Sequence, residues 1–132
     1  MAPSPNVTVT TPLAGASREK LIASLHDHQN FLKVTNDQLQ ETKLLDGTPG
    51  TASSKCTYEI YSKGQSAYKQ ILTNSAEGLN SDVTMSVMGG SLHLTSDWKV
   101  IGDNLVEEVY IDTNFIIRKA VSRLIPLQEV DN

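Results

Sequence analysis

The sequence predicts an α+β domain: a curved antiparallel sheet of about six to seven strands, with a helical segment after the first strand and a C-terminal helix laid on the inner face. Three observations predict it. Val83 to Asp112 alternates apolar and polar residues through three runs separated by Gly89-Gly90 and Gly102-Asp103, the glycine-bearing pairs that tight hairpins need. Apolar residues recur at helical spacing in only two places, Arg18 to Leu32 and Asn114 to Ile125. A sheet that keeps one apolar face needs a helix across it, and the last helix is the natural candidate, enclosing a cavity.

Residues 1–5, with two prolines, read as an arm. Asn6 to Thr11 alternates around Val7 and Val9 as a short strand. Ser17 is placed to cap a helix running to Phe31 or Leu32, with Leu21, Ile22, Leu25, His28, Gln29 and Leu32 on one side. Leu39 to Leu45 reads as a polar strand, and Asp46 to Ser54 as a loop. Lys55 to Ser62 and Ser66 to Thr73 form a hairpin across Lys63-Gly64. That register turns Cys56, Tyr58, Ile60, Ala67, Lys69 and Ile71 to one face, and Glu59, Tyr61, Tyr68 and Gln70 to the other. Asn74 to Asp82 connects to the central strands.

With Gly89-Gly90 and Gly102-Asp103 as loops, the two central hairpins choose the same inner face. It carries Val83, Met85, Val87, Leu92, Leu94, Trp98, Val100, Leu105, Val109 and Ile111. Thr84, Ser86, His93, Thr95, Asp97, Lys99 and Glu108 lie outside. Glu107, opposite Trp98, is the one inner residue that does not belong. The last helix offers a stripe of Ile117, Val121 and Leu124, and Pro126 ends it, leaving a tail over 127–132.

Totals narrow the class. A chain of 132 residues suits one domain, with no apolar run of membrane-spanning length. The first residues lack the basic and apolar regions of a secretory signal, and the single Cys56 permits no internal disulfide. A cytoplasmic location is the expectation. A net charge of −4 without a basic run argues against nucleic acid as partner.

A carboxylate in an apolar cavity resists ionisation, so Glu107 is suited to proton transfer. Alternatively, strand twist carries it to a rim, or Lys69 or an arginine pairs with it. Lys69 and Tyr58, nearly opposite each other in the expected register, read as a base or carbonyl-polarising group and as a hydrogen-bond donor to a developing enolate. The plainer alternative has Lys69 reaching the sheet edge and Tyr58 simply packing. His28 is either a proton relay or a satisfied core histidine. Trp98, Met85, Leu94, Val87, Val109, Ile117 and Val121 would line a ligand cavity or fill the core. His26 and His28, two apart, do not share a helix face, so no metal is expected there. No phosphate-binding loop or dinucleotide fingerprint is present, and no cofactor is expected.

Three segments, SREKLIASLHDHQNFLKV, NSAEGLNSDVTMSVMGGSLHLTSDWKV and LVEEVYIDTNFII, together with the order of elements, resemble the START-like (SRPBCC) superfamily and, more narrowly, a fungal branch of it. They cover roughly half the chain. The superfamily includes lipid-transfer domains, pollen-allergen and plant hormone-receptor proteins, and polyketide aromatase/cyclases. The resemblance implies the helix-grip fold and a hydrophobic ligand site under the last helix. The expected function is then a cofactor-free enzyme of secondary metabolism, cyclising, isomerising or dehydrating a small hydrophobic polyketide or terpenoid-like substrate. The alternative is a non-catalytic carrier of a lipid or similar ligand. A last helix as short as 114–125 leaves room for a second subunit to help close the cavity, as a homodimer. The cone-shaped fold of nuclear-transport-factor-like isomerases ranks lower, because those begin with helices rather than a strand.

Overall fold

A computed structural model describes residues 4–87 and 90–113, without the side chains of Val87 and Thr113. The helix expected over Asn114–Ile125, with Ile117 and Val121, lies outside the described residues, as do the tail and part of the N-terminal arm.

Seven strands form one curved antiparallel sheet: β1 (Val7–Pro12), β2 (Leu39–Asp46), β3 (Lys55–Ser62), β4 (Tyr68–Ser75), β5 (Gly78–Val87), β6 (Gly90–Ile101) and β7 (Asn104–Thr113). The order across the sheet is β1-β7-β6-β5-β4-β3-β2, so the first strand closes against the last. Two helices, α1 (Arg18–His26) and α2 (His28–Thr35), lie between β1 and β2 in the chain.

Those helices replace the single one expected. Ser17 caps α1 by accepting from the Lys20 amide. Asp27 then leaves helical geometry at φ −81°, ψ 92°. Its own N–H closes α1 onto Ala23 O and Ser24 O, and its carboxylate caps α2 by accepting from the Asn30 amide at 3.2 Å. A short acidic side chain that bonds the backbone favours such caps over helix interiors. The break lets two histidines two residues apart both meet the sheet. His26 Nε2 reaches Ser75 O and Gly78 O, and His28 is buried.

The β6–β7 register is the expected one: Val100 faces Leu105, Trp98 faces Glu107, Ser96 faces Val109 and Leu94 faces Ile111. Gly102 turns this hairpin with a left-handed φ of 59°. The β5–β6 register differs from expectation. Val87 pairs with Gly90 and Met85 with Leu92, two residues from the expected pairing. An even shift preserves faces, so Val83, Met85, Leu92 and Leu94 remain inside.

The β3–β4 register corrects the expectation by an odd step. Tyr58 faces Gln70, Ile60 faces Tyr68 and Glu59 faces Lys69. Lys69 therefore sits on the outer face beside Glu59, and Tyr68, Gln70 and Leu72 turn inward. The connection is five residues, 63–67, not the two of a tight turn.

β5 also begins at Gly78, earlier than expected. Asn80 and Asp82 face outward and Ser81 is buried, a polar stretch that hides the alternation. Gly78 is required there, because a Cβ would stand 1.7 Å from Trp98 O.

The core sits where α1 and α2 cover the inner face. Leu25, Phe31 and Leu32 from the helices pack with Cys56, Tyr58, Ile60, Leu72 and Leu79 from β3–β5. Each large apolar side chain buried this way contributes roughly 1.5–3 kcal/mol. Arg18 fixes the start of α1 by donating to Val100 O at 2.9 Å.

Candidate functional site

Beyond the helices the inner face opens into a cavity of about 320 Å³. Strands β5–β7 supply Val83, Met85, Leu94, Ser96, Trp98 and Glu107, β4 supplies Tyr68 and Gln70, and α2 and its C-cap supply Phe31 and Asn36. The turn at Gly102-Asp103 dictates this placement, because its register brings Glu107 directly across from Trp98 on the inner face.

Glu107 is half-buried, and no hydrogen bond or ion pair reaches its carboxyl from the described residues. Burial alone pushes its pKa above the ordinary 4.5, because desolvation penalises the charged form. Lys69, on the opposite face, is not its partner. Trp98 stands edge-on to the Phe31 ring at a centroid distance of 5.5 Å, and its Nε1–H is buried without a hydrogen-bond partner. Several other polar groups of the cavity are paired. Gln70 Nε2 donates to Ser81 Oγ at 2.8 Å, and Asn36 Nδ2 donates to Ser62 Oγ at 2.7 Å and to the Tyr68 oxygen at 3.4 Å. Tyr68 thus accepts from Asn36 and keeps its own proton to donate.

The four residues expected to act together are divided. Glu107 lines this cavity, whereas Tyr58 and His28 line a different one beneath the α1–α2 bend, and Lys69 lines neither. His28 is held at both nitrogens. Its Nδ1 lies 2.8 Å from Tyr58 Oη and its Nε2 lies 2.8 Å from Asn74 Oδ1. Asn74 Nδ2 in turn donates to Thr51 O at 2.7 Å. Burial, with Cys56 alongside, pushes the Tyr58 phenol well above its usual value, so it stays protonated.

Of the expected lining residues, Trp98, Met85 and Leu94 face the Glu107 cavity. Val109 lies on the same face between Ser96 and Val7. Val87 belongs to β5 by its backbone, and Ile117 and Val121 lie outside the described residues. Sequence reasoning missed Tyr68 and Gln70, which the odd register turned the wrong way. The signal for them was the opposite charges of Glu59 and Lys69, which favour a register that places both on the wet face.

Among the described residues no three histidine, cysteine, aspartate or glutamate side chains gather as a metal site. The arrangement offers a half-buried carboxyl whose pKa burial raises, a tyrosine hydroxyl, and a wall of mixed polar and apolar side chains. Such a carboxyl can donate a proton to a bound oxygen and, once ionised, take one from carbon or oxygen. Comparison with known protein families, curated proteins and solved structures returned no match for this chain.

Proposed function

We propose that the inner face binds a small hydrophobic molecule, polyketide or terpenoid-like, and that Glu107 transfers a proton to or from it in a cofactor-free cyclisation, isomerisation or dehydration. The observation that carries this reading is Glu107 itself, without a hydrogen-bond or ionic partner among the described residues, beside Trp98 in the cavity, and with its pKa raised by burial. Groups whose pKa is shifted by burial inside a cleft cluster at functional sites. Tyr68 takes the donor role that sequence reasoning gave Tyr58, since it shares the cavity with Glu107. Trp98, Phe31, Met85 and Leu94 would fold a flexible substrate into a reactive shape.

The helix-grip reading belongs to the same proposal. The described strand order and the helical pair after β1 support it, and the helix over 114–125 would complete it with Ile117 and Val121 toward the sheet. A carrier of an apolar ligand is the second reading. It is favoured by one observation: Glu107 and Tyr68 are the only ionisable side chains among the described residues lining this cavity.

Native mass spectrometry of the full chain from its own source, followed by denaturing extraction, identifies the ligand. Glu107→Gln is then expected to abolish turnover of that molecule while its affinity stays within a few-fold. Retained turnover would remove Glu107 from the mechanism. Unchanged affinity with no turnover in either form would leave the carrier.

A further inference from the structure

Beneath the bend between α1 and α2 lies a second and larger cavity of about 620 Å³. It shares no lining residue with the Glu107 cavity. Leu44 of β2, Ala23 of α1 and Pro49 and Ala52 of the β2–β3 loop make it partly apolar, and Tyr58 lies at its inner end.

The surrounding hydrogen bonds fix which polar groups this cavity offers. Asn74 gives its amide protons to Thr51 O, so Oδ1 faces His28 Nε2 and Nε2 must be the donor. In the neutral ring Nδ1 is then a lone pair, and Tyr58 donates to it. The Tyr58 proton is thereby spent, and its oxygen remains as an acceptor. His26 follows the same logic. Its Nε2 lies 2.8 Å from Ser75 O and 3.0 Å from Gly78 O, and two carbonyls hold the proton there. Its Nδ1 is left as the acceptor of the neutral ring. One Asp27 oxygen caps α2, and the other has no partner among the described residues. No lysine or arginine lines the cavity. The first turn of α2 alone would favour an anion, but Asp27 already supplies that negative charge as its cap.

We propose that this cavity is a second ligand site, for a small organic ammonium ion with an apolar body. The ammonium donates to the Asp27 carboxylate and to the acceptors around it, and the apolar body packs against Leu44, Pro49 and Ala52. The pairing is of a donor-only cation with an acceptor-rich wall, whereas an anion of equal size would meet Asp27 and find no lysine or arginine to pair with.

The test is calorimetric titration of the full chain at neutral pH with phenethylammonium, and with phenylpropanoate, of similar size and opposite charge. Amide NMR locates whichever binds. The ammonium is expected to bind about fivefold or more tighter than the carboxylate, the ratio for one partly screened charge contact, and to shift Gln29, Thr51 and Tyr58. Asp27→Asn preserves the helix cap, because asparagine caps as well as aspartate, and should erase the preference. Gln29→Lys, at an exposed lining position, should reverse it, with a small fall in melting temperature from the lost Thr42 hydrogen bond and from a positive charge in the first turn of α2. Equal binding of both ions, no saturable binding by millimolar ammonium, shifts confined to Val83, Leu94 and Trp98, or a preference that survives Asp27→Asn would each overturn the proposal.

Discussion

Around His28, imidazole, phenol, carboxamide and backbone carbonyl form an unbroken run from α2 through β3 and β4 to the loop at Thr51. Around Glu107, on the same face of the same sheet, a carboxyl and an indole N–H lie across one rung of the β6–β7 ladder, and neither has a hydrogen-bond partner among the described residues. The first region ties helices to sheet through its buried polar groups. The second leaves the indole N–H unsatisfied, which costs stability, beside a half-buried carboxyl whose charged form burial disfavours. The difference separates a histidine tied at both nitrogens from a carboxyl without a partner among the described residues, although sequence reasoning placed both in one catalytic set.

The largest effect expected from breaking this contrast is at Tyr58. Tyr58→Phe keeps the ring in the core and removes only the donor to His28 Nδ1. The imidazole cannot recover by changing tautomer, because Nε2 must still donate to Asn74 Oδ1, whose amide is fixed by Thr51 O. A loss of about 1–3 kcal/mol is expected in urea unfolding at neutral pH. A neutral result would mean that the run is loosely held and that His28 is available for chemistry after all.

How much of this could be read from the sequence follows from loop length and parity. The β6–β7 register was legible because Gly102-Asp103 permits one tight turn and the apolar alternation on both sides agrees with it. A two-residue error at β5–β6 was harmless to faces. A one-step error at β3–β4 was not, because the five-residue connection imposes no parity, and Ile71 and Leu72 make either face plausible. That slip put Lys69 inside and hid Tyr68. The bend at Asp27 was written in its residue type, yet helical periodicity runs straight through it from Leu25 to Leu32. Glu107 was legible because a lone carboxylate in an apolar register needs no long-range information to stand out. The two cavities depend on how α2 crosses the sheet, which no local pattern encodes.

A second test uses the sign of the Glu107 shift. Burial raises its folded-state pKa above 4.5, so the folded chain holds this proton to higher pH than the unfolded chain does. The contribution of the protonated group to stability is fully present below about 4.5 and is lost as pH rises through the raised value. Glu107→Gln is therefore expected to match the parent near pH 4 and to exceed it in urea midpoint at pH 7, with the gap opening across the window above 4.5. A parent more stable than the variant at pH 7 would mean that the carboxylate has an ionic partner, and the contrast with His28 would fail.

Trp98→Phe is expected to have the smallest effect, because two terms oppose each other. Phenylalanine retains an aromatic ring for Phe31 but gives up part of the indole's buried area, a loss of roughly 1–2 kcal/mol. It also deletes a buried N–H that has no acceptor, and an unsatisfied donor of this kind costs about 1–3 kcal/mol. The sum should lie between a loss of about 1 and a gain of about 2 kcal/mol by urea unfolding, centred near zero, a small value for replacing the protein's one tryptophan. A loss well beyond 2 kcal/mol would show that the indole proton is bonded in solution. Glu107 would then be the one group of its rung with Trp98 that lacks a partner among the described residues, and the contrast with the His28 region would rest on its carboxyl.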